Sequence, residues 1–432
     1  MYLDPYDIVQ EFNEKGTFQI ECTEITLKQL GNNKNPQCYS GKGIICLNKD
    51  KKFELICFPS NEKATPFMDK IKRGKILKPY RIIKKNFYFR LDAKDAAGNI
   101  YFSKQVDVSG DEGRNGVVVK GEFERLYCNN LFSSENGISF QLKNRLKLTT
   151  NYQHTYHDGE QNYLSTRFLI YGLEYIFYEK NGRYQVDILV RDKRFRYDFT
   201  EIDFFLDVIR IITSTNIHFS IVDLTSNDES YIMIKSDSTS VKYSSLMKPP
   251  ILANHKTDIS SLSDFMSQLI LFQRTRKDYR INQILNRCIH TSVSSVHAYA
   301  TVISLGVEEL ISIYFLNNFS PSPSYIEKIE QAKKELKATK IDRSIKNNIY
   351  SSLDYYSKPS VRKLFRKLHK EKDLPKLLTD NWHSLRGYIA HPSRSNKSSN
   401  ELLYYADSAT TLFYWLLKEI IGYKGSLTKY VS

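Results

Sequence analysis

The sequence predicts a multidomain α+β protein, with a β-rich N-terminal region in two lobes followed by an all-α helical bundle. Three observations carry this. The first half alternates apolar and polar residues in short runs, the period of half-buried strands. Residues 236–262, SDSTSVKYSSLMKPPILANHKTDISSL, are rich in Ser, Pro and Lys and have little periodicity. From Ser263 onward the apolar spacing becomes helical. The 432 residues suffice for two or three domains, and the 13% aromatic content, mostly Tyr and Phe, suits strand packing. The expected divisions are 1–149 and 150–246 for the two lobes, 247–262 for a linker and 263–432 for the bundle.

In order, GTFQIECTEITL (from Gly16) alternates as a strand. GKGIICLNKDKKFELICFP and FYFRLDAKDAAGNIYFSKQV each read as two strands around a polar turn. RFLIYGLEYIFYEKNGRYQVDILVRD carries Asn181-Gly182, a strong hairpin signal. Glu201–Thr215 breaks the pattern with helical spacing, and HFSIVDL and SYIMIKS return to strands. Beyond the linker, Ser263 or Asp264 is expected to cap a helix running to about Ile289. Val293–Asn318 reads as a long buried helix, and SPSPS then breaks the chain. Ser324 is expected to cap YIEKIEQAKKELKA. Further helices are expected near 342–356, 360–370 and 375–391, before a strongly apolar last helix, SNELLYYADSATTLFYWLLKEIIGY. Such a set packs as a bundle of about 170 residues.

Several classes are set aside. No run of about 18 apolar residues exists, so no membrane partner is expected. MYLDPYDIVQEF has neither a basic n-region nor an apolar h-region, and a cytoplasmic location is expected. The six cysteines (Cys22, Cys38, Cys46, Cys57, Cys128 and Cys288) show no CxxC spacing and read as reduced thiols. HTYHDGE (His154–Glu160) holds two histidines and two acids, but Asp-Gly argues for a turn, and no metal is expected there. GxxxxGK[ST], GxSxG and HExxH are absent.

Charge is unevenly distributed. The net charge is +15; residues 248–432 hold 28 Lys and Arg against 16 Asp and Glu, while residues 1–247 hold 35 against 32. The excess therefore belongs to the C-terminal part and points to a polyanion such as nucleic acid, or to a merely basic surface. Within it, KPSVRKLFRKLHKEKDLPK places Arg362, Lys363, Arg366, Lys367 and Lys370 at helical spacing. Such a stripe can follow a phosphate backbone, or simply be a solvated face.

NWHSLRGYIAHPS places Arg386 five residues before His391, with Pro392 next. Residues five apart on a helix differ by about 140° in direction, so the two straddle a face. Proline disfavours helical geometry at His391, which puts the histidine at a helix end. An imidazole can move a ribose 2′-OH proton, and a fixed guanidinium can offset charge on a phosphate. The pair reads either as a functional pair or as a structural helix end. His383 lies one turn before Arg386 on the same face. Glu308 and Glu309 lie in an otherwise apolar helix, one expected to face solvent and the other to buttress an arginine such as Arg386.

LRGYIAHPS, placed late in an all-α domain with one long apolar helix still to come, resembles the HEPN family (higher eukaryotes and prokaryotes nucleotide-binding). LGVEELISIYF (Leu305–Phe315) resembles that family's second long helix. The plan of a β-rich region followed by HEPN resembles ApeA-type anti-phage defence ribonucleases. The resemblance covers about 263–432, and over 1–250 it is architectural only. It implies a metal-independent endoribonuclease without cofactor, acting in abortive infection, with Arg386 and His391 catalytic; His383, Glu308 and Glu309 are the candidate auxiliaries by their positions in the sequence. It also implies RNA as partner, tRNA included, a homodimer building a shared cleft, and an N-terminal region answering a phage-derived or nucleotide trigger. The chain departs from the family pattern at Gly387, where a polar residue, often Asn, usually follows the arginine. The alternative implied by that departure is a catalytically inactive RNA-binding or dimerisation module.

Overall fold

The protein is described by a computed structural model covering residues 5–31, 36–48, 52–60, 88–113, 116–129, 137–143, 146, 148, 150–155, 162–180, 183–190, 202–225, 230–236, 245–253, 256–316, 322–356, 361–391 and 397–431. The chain forms two units. One takes in residues 1–146, 150–202 and 217–241, and the other 147–149, 203–216 and 242–432.

The first unit opens with helix α1 (Pro5–Lys15), which the alternating pattern that follows it does not foreshadow. Six strands come next: β1 (Phe18–Gln29), β2 (Cys38–Leu47), β3 (Phe53–Pro59), β4 (Tyr88–Asp95), β5 (Ile100–Gly113) and β6 (Gly116–Phe123). Their antiparallel pairing runs β4-β1-β2-β3-β6-β5, and β4 pairs again with β5, closing a barrel. Alternate residues point inward: Phe18, Ile20 and Cys22 from β1, Phe53, Leu55 and Cys57 from β3, and Phe89 and Leu91 from β4. Ile8 of α1 is buried in the same core. Closure requires bending, which a bulge in β1 between Cys22 and Ile25 supplies. Gly41 and Gly43 supply the rest; a Cβ on either would lie 2.0 Å from a carbonyl oxygen of β3, so only glycine permits this approach.

Eight more strands continue the pairing in the order β7-β14-β13-β8-β12-β11-β10-β9. These are β7 (Arg125–Asn129), β8 (Gly137–Leu142), β9 (Tyr152–Thr155), β10 (Asn162–Ile170), β11 (Leu173–Lys180), β12 (Arg183–Val190), β13 (Phe219–Thr225) and β14 (Ser230–Lys235). β7 and β8 precede residue 150 yet pair with β12, β13 and β14, and β7 also pairs with β5, so strands from both sides of residue 149 belong to one continuous sheet and one unit. The segment around Asn181-Gly182 contains two hairpins. β11 and β12 pair up to Lys180 and Arg183, while β10 and β11 turn at Tyr171-Gly172, both at positive φ. Tyrosine is uncommon in that conformation, which is why residue type did not mark the turn.

The second unit is helical. Helix α2 (Ile202–Thr213) matches the helical spacing of Glu201–Thr215, and residues 203–216 belong with the helices rather than with the strands on either side. Asp207 fixes it there, accepting hydrogen bonds from Arg210 at 2.9 Å and Asn286 at 2.7 Å. Burial pushes the Asp207 carboxyl above its usual range, against the pull of Asn286 and Arg210.

Where one helix was expected to about Ile289, the chain makes two, α3 (Lys256–Arg276) and α4 (Arg280–Ser292). The break is local: Lys277 has φ +52°, and Asp278 accepts from the Arg280 N–H at 3.1 Å. Ser263 and Asp264 lie inside α3, which starts at Lys256, within the stretch expected to be linker. Helix α5 (Val296–Leu310) runs into a π-helical turn, Ile311–Phe315. α6 (Pro323–Ala338) is capped by Ser322, which accepts from Tyr325 N–H, and not by Ser324; Pro323 takes the first helical position, which moves the cap upstream. Then follow α7 (Arg343–Tyr356), α8 (Val361–Lys372), α9 (Lys376–Ala390) and α10 (Ser399–Ile421), the last with a Ser398/Glu401 capping box.

The core of this unit is α5 against α10 and α9. Tyr299, Ile303 and Val307 are buried with Leu412, Phe413 and Leu416, and Trp382 and Leu385 close the α9 side. Val296–Phe315 is long and apolar enough by windowed hydropathy to cross a membrane, although its apolar residues form no unbroken run. Burial accounts for its apolar face, and Glu308 and Glu309 interrupt it. Burial likewise raises the thiols: Cys22 and Cys288 to about 12 and Cys57 to about 11. None of the six cysteines, all among the described residues, forms a disulfide.

Candidate functional site

The site is built on α9. Leu378, Asn381, Trp382 and Leu385 face the core at helical spacing, which leaves Asp380, His383, Ser384, Arg386 and Gly387 exposed. The buried face is anchored by polar contacts as well as packing. Trp382 Nε1 donates to the Ser304 carbonyl at 3.3 Å, and Asn381 Nδ2 donates to Ser408 Oγ at 3.1 Å. These bonds fix the rotation of α9 against α5 and α10.

Helical side chains lean toward their own N-terminus. Arg386 reaches back over Trp382, its guanidinium carbon 5.7 Å from the ring centroid. There Nη2 donates to Glu308 Oε1 of α5 at 2.7 Å. Glu309 pairs with Arg287 instead, so the two adjacent acids serve different arginines. Arg386 and Glu308 side chains remain 49% and 41% exposed, so the pair is accessible to solvent.

His383 packs edge-on to Phe365 at 5.8 Å between centroids and lies 5.0 Å from Trp382. Its pKa is lowered, first by desolvation, then by Arg362 and Arg386; Asp380 opposes. The first cation of the basic stripe and the motif arginine thus both act electrostatically on this imidazole. The stripe itself lies on α8. Leu364, Phe365 and Leu368 are buried, while Arg362, Lys363, Arg366, Lys367 and Lys370 are exposed on the opposite side. Lys363 sits 5.7 Å over the Tyr325 ring, and Lys367 lies 3.7 Å from Glu371. His369, on the same helix, is structural: Nδ1 contacts Leu374 O at 2.6 Å and Nε2 contacts Thr379 Oγ1 at 3.2 Å.

His391 ends α9 outside helical geometry, at φ −139° and ψ 64°, and is exposed. Its N–H donates to Gly387 O at 3.1 Å and Tyr388 O at 3.3 Å. Arg386 leans the other way, so within one chain the two motif residues are not in contact among the described residues. Pro392 lies outside the described residues, as do the loop residues of HTYHDGE and Asn181-Gly182. Among the described residues no three His, Cys, Asp or Glu side chains converge as a metal-ligand set.

Two residues of this region escaped the sequence reading. Trp382 carried a readable signal, lying four residues before Arg386 on one helical face. His297 carried none; it meets Tyr388 only because α5 and α9 lie alongside each other, Nε2 to phenolic oxygen at 3.3 Å.

Fold and site together define a protein with a closed β-barrel region and a helical unit presenting an exposed arginine, histidines and a basic stripe. Compared with known proteins, the chain matches no family model, no curated protein and no solved structure.

Proposed function

We propose that the chain is a metal-independent endoribonuclease of HEPN type, the effector of a bacterial anti-phage abortive-infection system, with a regulatory N-terminal region. The observation that carries this is Arg386. It is held by Glu308 at 2.7 Å over Trp382, exposed, and shares the His383 environment with Arg362 at the head of a basic stripe. A preset guanidinium beside a cationic helix is suited to a phosphodiester. His391, exposed at the helix end, is the proton-transfer group in this reading. The ribose 2′-OH attacks its own phosphodiester, leaving 2′,3′-cyclic phosphate or 3′-phosphate ends. A second copy would bring a second Arg386 and His391 to the exposed α9 face. The expected setting is the cytoplasm, and the barrel unit offers a cleft of about 630 Å3 lined by Lys52, Lys104 and Arg125 with Asp107 and Glu122, within the size range of small-molecule sites.

A second reading, an inactive RNA-binding or dimerisation module, is favoured by a specific feature: Arg386 is already paired and directed away from His391, with Gly387 between them. One experiment separates the two. Wild type and His391→Ala are incubated with total RNA and with tRNA in EDTA, and fragment 3′ ends are analysed. Cleavage by wild type alone, with cyclic or 3′-phosphate ends, is expected. Equal fragments from both proteins would overturn the role of His391. Salt-sensitive binding without cleavage, with and without phage extract, would favour the inactive module.

A further inference from the structure

The proposed ribonuclease chemistry leaves one side-chain pair unused. His297, in the first turn of α5, and Tyr388, in the last turn of α9, meet at 3.3 Å, with ring centroids 6.3 Å apart. His297 is exposed and Tyr388 half-buried. The His391 N–H bonds to the Tyr388 carbonyl at 3.3 Å, so His391 closes the turn that Tyr388 begins. His297 and the Tyr388 phenol thus meet at the end of α9 where the chain reaches His391, while Arg386 lies back over Trp382. An exposed polar pair adds little to stability, because water serves either partner as well. Packing therefore gives no strong reason for this pair.

We propose that His297 is a second proton-transfer residue of the site that contains His391, with Tyr388 as its positioning residue. This rests on the ribonuclease reading and extends it. Transesterification moves two protons. The 2′-oxygen to phosphorus bond forms as the 2′-OH proton passes to one imidazole. The phosphorus to 5′-oxygen bond breaks as that oxygen takes a proton from the other. Attacking and leaving oxygens lie in line on opposite sides of phosphorus, so one fixed imidazole cannot serve both. The imidazoles of His297 and His391 divide the work. The Tyr388 hydroxyl occupies Nε2 of His297 and orients the ring, which leaves Nδ1 for the substrate.

The test has two arms on the full chain. In the first, imidazole NMR signals are followed while a single-stranded 2′-O-methyl RNA, which lacks the nucleophile, is added. His297 and His391 should shift along one binding curve. Movement of His391 without His297 overturns the proposal and leaves the ribonuclease reading standing; movement of neither overturns both. In the second arm, single-turnover cleavage is measured against pH. Wild type should give a bell-shaped profile. His297→Gln should lose one limb and about a hundredfold in rate, with substrate affinity kept. Tyr388→Phe should move that same limb with a smaller loss. His297→Gln with wild-type rate and both limbs overturns the proposal. Both substitutions are at partly or fully exposed positions, and matched melting curves would exclude misfolding as the cause of a loss.

Discussion

Arg386 Nη2 donates to Glu308 Oε1 at 2.7 Å, across 78 residues of sequence and between two different helices. Both side chains are over a third exposed, so the pair contributes at most about 1 kcal/mol to stability. Its importance lies in aiming the guanidinium. Glu308→Gln should therefore lower the melting temperature by no more than about 4 °C. In the proposed ribonuclease it should cut kcat more than tenfold and leave KM nearly unchanged, whereas Arg386→Ala should cost about a hundredfold or more. A Glu308→Gln protein with raised activity would mean that the carboxylate competes with phosphate instead of orienting Arg386.

Gly387 lies inside α9 with nothing within 4 Å of where a Cβ would stand. Glycine in a helix interior costs about 1 kcal/mol relative to alanine. Gly387→Ala should raise the free energy of urea unfolding by that amount, and Gly387→Asn should fold without strain. If a second copy packs closely on this face, Gly387→Ala should weaken self-association in sedimentation measurements while the isolated chain gains stability. Destabilisation of the isolated chain by Gly387→Ala would contradict the open geometry.

The lowered pKa of His383 has a definite sign in stability. Desolvation first, then Arg362 and Arg386, disfavour its protonated form in the folded state, so the unfolded chain binds the proton more readily. The contribution is complete above the ordinary histidine range, about pH 6.5, and declines as pH falls below it. His290, lowered by burial and by Arg210, acts in the same direction. Histidine-ring NMR should find that Arg386→Met raises the His383 pKa, and Arg362→Met more so. His383→Gln should flatten the acid-side decline without removing it, because His290 remains. An unchanged His383 titration in Arg386→Met would dissociate the two residues.

The basic stripe predicts salt dependence. Arg362, Lys363, Arg366, Lys367 and Lys370 are all exposed, so replacing them with Gln should leave stability nearly unchanged. Removing one cation that neutralises a phosphate should lower the slope of log affinity against log salt by about 0.7 for single-stranded RNA. Fluorescence anisotropy with wild type and Arg366→Gln/Lys370→Gln would measure it. Identical slopes would return the stripe to a solvated helix face.

Much of the architecture was readable because strands and helices leave their period in the chain. The barrel strands alternate and the helices from α5 to α10 repeat near 3.6. Barrel closure was not readable, since it depends on a bulge at Cys22–Ile25 and on the β4–β5 pairing, which no local pattern encodes. The break at Lys277 was hidden because a lysine at positive φ carries none of the marks of glycine. The Tyr171-Gly172 turn was hidden because its first positive-φ position is a tyrosine, and the glycine after it alone did not mark a hairpin.

At the candidate site, the order and spacing of Arg386, Gly387 and His391, the end of α9 at the histidine and the basic stripe of α8 were all legible in the chain alone. These follow from helical periodicity and from proline geometry, which act over a few residues. The packing of distant segments settled the rest: Glu308, and not Glu309, holds Arg386, Arg386 leans away from His391, and His297 meets Tyr388. Those choices depend on the rotation of α9 against α5, set by Trp382 on Ser304 and by packing around Leu385. A helix's own pattern says which face is buried; what lies opposite that face is set by the neighbour it packs against.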